Sequence, residues 1–234
     1  MALGAGAYRE LLEAETVSAD VELQAAVREV GERIAAVAER PDYQWEFALI
    51  EADEANALAL PGGKVVVYTG LLPFAQNSAG LAAVIGHEVA HALARHGAER
   101  LSQRRIIDAL ASGATAAIGL PGLGHLAVLA LGLGVQVGYE LPFSRAQELE
   151  ADHIGLILMA RAGYDPQQAL YLWQRFAAAE KQTIEFLSTH PSPATRLEDM
   201  RLWLPEAQAY FQAPGAAPVR ELGGAQSSTA PRMP

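Results

Sequence analysis

Over residues 8–40 apolar side chains return every three or four positions, at Leu23, Ala26, Val27, Val30, Ile34 and Val37, which is the period of a helix with one buried face. Pro41 cannot continue that helix and ends it. The pattern then shortens. Residues 45–50 and 57–60 read as strands, and Pro61-Gly62-Gly63 marks a turn into a valine-rich third strand, Lys64 to Tyr68. Asn77-Ser78 offers the cap of a helix running to about His96, with another predicted from Ala98 to about Gly119. Ser144 opens a further helix, Gln147 is placed to close a capping box, and Gly163 stops it. Asp165-Pro166 and Ser192-Pro193 each set proline at a favoured first helical position, the second for a helix through about Trp203. These elements predict an α+β fold, mostly helical with a small sheet, over residues 1–204. Residues 205–234, rich in Pro, Gly, Ala and Ser, read as a tail.

One stretch departs from this alternation, because residues 109–139 contain no Asp, Glu, Lys or Arg. Its length alone would suffice to span a bilayer. Gly119, Pro121, Gly122 and Gly124 divide it into pieces too short to do so. A buried or interfacial helical hairpin is the expectation, with a membrane-touching surface as the alternative.

Composition then narrows the chemistry. A formal net charge of −10 leaves no basic face for phosphate, which excludes a nucleic-acid partner. It also excludes docking to anionic lipid by electrostatics alone. The chain has no cysteine, so disulfides, thiolate metal sites and cysteine nucleophiles are all ruled out, and any metal must be held by His, Asp or Glu. No basic segment followed by an apolar run opens the sequence; the expectation is a mature domain trimmed of its targeting segment.

Such ligands occur at helical spacing in His87-Glu88-Val89-Ala90-His91. Histidines four apart project from one helix face and can bind one zinc ion together. Glu88 sits beside the metal, placed to take a proton from a water whose pKa zinc lowers from about 15.7 to roughly 7, and to return it to a leaving amine. The surrounding helix is apolar, and charged groups buried there need partners or a metal. A catalytic zinc site also needs a third ligand. Ala94 and Gly97 stand where a metzincin would have glycine and histidine, so that arrangement fails, and His96 is one residue out of register, a helix-end or solvent-side histidine. Downstream, Glu148 and Asp152 lie four apart on one predicted face. Glu148 can ligate the metal while Asp152 accepts a hydrogen bond from a ligand histidine. Glu150 points roughly 200° away from Glu148 and cannot share its role.

The ordered set of residues 57–71 (ALALPGGKVVVYTGL), His87-Glu-Val-Ala-His, residues 144–152 (SRAQELEAD) and Thr189-His-Pro-Ser resembles the HtpX and CAAX-prenyl-protease family of zinc metalloendopeptidases, in its bacterial periplasmic branch without a multi-span membrane domain. The resemblance implies a gluzincin-like core with one zinc ion per chain, Glu148 as third ligand and Glu88 as general base. It implies that His190 and Arg196 belong to the catalytic apparatus, His190 either latching the metal or stabilising the tetrahedral intermediate. It further implies that Lys64, Val65, Val66, Val67 and Tyr68 form an edge strand to which substrate peptide adds. The expected activity is cleavage of internal bonds in misfolded or unassembled envelope proteins in the periplasm, with membrane contact through residues 109–139 as an alternative. The alternative is a latched, rarely cleaving quality-control module that keeps its zinc.

Overall fold

A computed structural model describes residues 2–100, 143–179, 184–190, 193–211 and 215–222. The elements run α1 (Ala2–Ala14), α2 (Val21–Val37), β1 (Glu46–Ile50), β2 (Ala57–Leu60), β3 (Lys64–Tyr68), a short 3-10 turn, α3 (Leu72–Ala75), α4 (Ser78–Leu93), α5 (Arg145–Arg161), α6 (Gln167–Ala178), α7 (Glu185–Thr189) and α8 (Pro193–Tyr210). The mostly helical fold with a small sheet is as the sequence predicts. The helix expected over residues 8–40 is two. Asp20 Oδ1 accepts from the amides of Glu22 and Leu23 and starts α2 afresh. The link before it runs along β1, where Ser18 N donates to Leu49 O and Glu51 N to Thr16 O. The uncharged stretch 109–139 lies outside the described residues. Among those described, no helix is long and apolar enough to cross a membrane.

The sheet corrects one expectation. Its order is β1-β3-β2, with β1 parallel to β3 and β2 antiparallel to it. The strand Lys64–Tyr68 is therefore central, paired on both sides and buried throughout, with no free edge for a peptide. Buried Lys64 has a structural task, its ammonium donating to Gln44 O at 2.6 Å and pairing with Glu46. The outer side of β1 is covered by residues 16–18, with a bridge between Val17 and Ile50. Among the described residues the open edge is that of β2.

Helix α4 carries apolar or small residues on every face except at its histidines and glutamate, and it is buried continuously from Ser78 to His91. It packs against α2, α5, α6 and β2 and so forms the axis of the core. Its first turn is closed by Asn77, whose Oδ1 accepts from Ala79 N at 3.1 Å and Gly80 N at 3.0 Å. Asn77→Ala removes that acceptor and is expected to cost about 1 kcal/mol in urea unfolding.

The crossing of α4 and α5 positions the site. A Cβ on Gly86 would stand 3.0 Å from Gly155 O, and one on Gly155 would stand 3.0 Å from His87 N. The backbones meet with only hydrogen between them, so His87 reaches the face of α5 that bears Glu148 and Asp152. Gly155→Val forces the helices apart and is expected to cost about 1–3 kcal/mol, measured by thermal or chemical unfolding.

The described residues after Pro205 also differ from the expected tail. Helix α8 continues through Pro205 to Tyr210. Residues 215–222 then return to the body, with Ala217 N donating to Gly163 O, Ser78 N to Arg220 O, and Leu222 N to Gln76 O. Ala217 and Leu222 are buried in the main core.

Candidate metal centre

Two helices and one loop converge on a group of buried donors. His87 and His91, a turn apart on α4, bring their Nε2 atoms to 3.0 Å. Across the glycine crossing, Glu148 of α5 lies with Oε1 3.3 Å from His91 Nε2 and Oε2 3.5 Å from His87 Nε2. His190, just past α7, places Nδ1 3.2 Å from His87 Nε2 and 2.9 Å from Glu148 Oε1. One ligand atom from each of these four residues falls within 4.8 Å of all the others, and all four residues are buried. The arrangement can hold a metal ion.

Glu88 stands beside this group and is 3 % exposed. Its Oε1 is 3.4 Å from His190 Nε2 but receives no hydrogen bond. Burial, outweighing the pull of His87, raises its carboxyl to about 7. Burial works against charge on His87 too, but hydrogen bonds to Asp152 and Glu148 raise it to about 9. Burial also opposes charge on Glu148; hydrogen bonds from His190, His87 and His91 prevail and hold its carboxyl well below the usual range. His91 and His190 are lowered, chiefly by burial, His190 to about 4.

A buried polar frame backs the donors. Asp152 Oδ1 lies 3.0 Å from His87 Nδ1. Arg196 Nε and Nη2 grip both oxygens of Asp152 at 2.6 Å, and Nη1 pairs with Glu148 Oε2 at 2.5 Å, although no hydrogen bond is directed at that oxygen. The guanidinium lies 3.6 Å over the Trp173 ring. Arg196 is thus committed to the two carboxylates, and it does not line the cleft into which Glu88, His91 and His190 open.

That cleft, of about 320 Å³, is bordered by Ala57, Leu58 and Ala59 of β2, with Arg95, Phe143 and Thr189 among its other walls. Phe143 stacks on His91 at 4.1 Å and Phe186 on His190 at 4.4 Å.

His96 stands at a helix end, one of its two expected placements, but it is buried rather than solvent-side, 2 % exposed. After α4 the chain turns at Arg95, whose φ of 61° sends His96 inward, where its Nδ1 meets His91 Nδ1 at 2.9 Å. Glu150, pointing away from Glu148, meets His96 there, Oε2 to Nε2 at 3.2 Å. The register that excludes His96 as a ligand leaves it free to serve one.

Two histidines a helical turn apart, a glutamate between them and a carboxylate from a crossing helix are the arrangement of a metallopeptidase. Residues 22–204 match Peptidase family M48, and the chain belongs to that family. It is 44 % identical over 186 residues to "Mitochondrial metalloendopeptidase OMA1" of Schizosaccharomyces pombe, covering 78 % of this chain and 53 % of that protein. It is 38 % identical over 178 residues to the protein of the same name in Saccharomyces cerevisiae, covering 72 % and 50 %. To the "Beta-barrel assembly-enhancing protease" of Escherichia coli K12 it is 32 % identical over 209 residues, covering 86 % and 43 %. The chain thus spans about half the length of the relatives it matches. These matches overturn the periplasmic location, since the relatives of higher identity bear a mitochondrial name. The expectation rested on motifs around the metal, which the chemistry of hydrolysis constrains and the compartment does not.

Proposed function

We propose that the chain is a zinc-dependent endopeptidase, with His87, His91 and Glu148 holding the ion and Glu88 moving the proton. The observation that carries this is the convergence of His87, His91, Glu148 and His190 on one position, beside a cleft that Glu88, His91 and His190 line. The donor set suits zinc, being imidazole and carboxylate without thiolate. Beside it, the buried Oε1 of Glu88 receives no hydrogen bond, as befits a group that works on water or substrate. Bound there, zinc supplies a Lewis acid that polarises a peptide carbonyl and makes water acidic near neutral pH.

Glu88 then accepts the proton of the attacking water and delivers it to the leaving nitrogen, a task suited to a carboxyl raised to about 7. Asp152 holds the Nδ1 proton of His87 and so directs Nε2 inward. The open edge of β2 is the strand on which an extended peptide can add by backbone pairing, which reads unfolded polypeptide with little sequence demand. Purified protein is expected to degrade casein, to stop on chelation and to recover with zinc. Cleavage that persists through chelation would exclude the metal mechanism.

The second reading, a latched module, is favoured by His190, which joins the donor group as a fourth member. If His190 closes the position that water and substrate need, His190→Ala raises casein cleavage above that of the unmodified chain. If His190 instead assists the reaction, the same variant cleaves more slowly. Zinc binding without cleavage in either protein favours the module.

A further inference from the structure

Glu150, His96 and His91 form a hydrogen-bonded line from the surface to the metal centre. His96 Nε2 lies 3.2 Å from Glu150 Oε2, and His96 Nδ1 lies 2.9 Å from His91 Nδ1. The imidazole of His96 is buried, with 3 % of its side chain exposed, while that of Glu150 is 57 % exposed. Neither residue is in the donor group that surrounds the metal position.

The line has a direction. An ionised carboxylate only accepts hydrogen bonds, so the proton between Glu150 and His96 sits on His96 Nε2. A neutral His96 then presents a bare Nδ1, which accepts the Nδ1 proton of His91. His91 in turn is left with its lone pair on Nε2, the atom that faces His87, Glu148 and His190. The opposite tautomer of His96 would set a bare Nε2 against the Glu150 carboxylate, with no proton between them.

We propose that His96, braced by Glu150, is a positioning residue that fixes the tautomer and ring orientation of His91 for metal binding. It is the counterpart, on the second ligand histidine, of what Asp152 does for His87 at 3.0 Å. The two ligands are therefore oriented from opposite sides: His87 by a buried carboxylate of α5, His91 by a buried imidazole that a surface carboxylate of the same helix polarises. Phe143, stacked on His91, limits the same ring by packing. The proposal rests on zinc being the resident ion.

The test is zinc affinity at fixed pH, by competition with a chromophoric chelator, with unfolding of the zinc-free proteins followed in parallel. His96→Leu keeps an apolar filling but offers no acceptor, and is expected to weaken zinc by about 10- to 100-fold. His96→Asn returns an acceptor near the Nδ1 position and is expected to recover most of that loss, which a purely structural role would not predict. Glu150→Ala, at an exposed position that puts folding at little risk, is expected to weaken zinc several-fold. Unmodified affinity in His96→Leu and Glu150→Ala would overturn the proposal. Should His96→Leu not fold, Glu150→Ala decides alone: a loss supports the line and an unmodified affinity sinks it. Absence of zinc binding in the unmodified chain would instead strike the zinc reading on which the proposal depends.

Discussion

Glu88→Gln is expected to lower kcat for casein cleavage by about 10²- to 10⁴-fold while leaving zinc affinity nearly unchanged. The amide fills the same space in the same buried pocket, where Glu88 is 3 % exposed, so packing around α4 is preserved. It cannot accept a proton and hand it on. Glu88 is outside the group of four donors, so its neutralisation does not remove a ligand. A loss confined to kcat, with KM and zinc content held, separates a proton shuttle from a ligand; a loss of zinc would reassign the residue.

The second large effect concerns stability. Arg196 is 1 % exposed and is shared between Glu148 and Asp152. Removing one member of a buried ionic group leaves its partners charged and uncompensated. Arg196→Leu is therefore expected to destabilise the zinc-free protein by about 3–5 kcal/mol, read from denaturant unfolding. Adding Asp152→Leu to that variant should cost much less than the two single changes summed, because the second substitution removes a charge the first had stranded. Saturating zinc should narrow the gap between Arg196→Leu and the unmodified chain in proportion to whatever affinity survives, since a ligand that binds only the folded state stabilises it. Additive losses would mean that Arg196 stabilises through its stacking on Trp173 rather than through the carboxylates.

Both predictions turn on residues that the sequence made visible to different degrees. The α4 cap at Asn77, the capping box of Ser144 and Gln147, and the turn at Gly163 (φ 88°) are local devices, and local chemistry is legible from spacing alone. The same is true of the His87, Glu88 and His91 register and of the four-residue interval between Glu148 and Asp152. What spacing could not supply is the order of strands. Lys64–Tyr68 reads as a valine-rich strand whether it lies at the edge or the centre, and pairing by both β1 and β2 decides that from a distance. The burial of His96 was hidden for a similar reason. Its inward turn depends on the left-handed backbone of Arg95, a conformation for which no glycine gave warning. Docking of residues 215–222 onto Gln76 and Ser78 likewise joins segments far apart in the chain, in a stretch whose composition reads as a tail. Arg196 came from a resemblance rather than from the residues around it. Its attachment to Asp152 and Glu148 requires α8 to pack on α5.

The central claim is that His87, His91 and Glu148 hold a single catalytic zinc. Elemental analysis of the purified chain and of Glu148→Ala, each equilibrated with a limiting excess of zinc and then desalted, tests it most directly. About one zinc per unmodified chain and little or none in the variant are expected, with folding shown by circular dichroism in both. Equal zinc in the two proteins, or none in the unmodified chain, would contradict it.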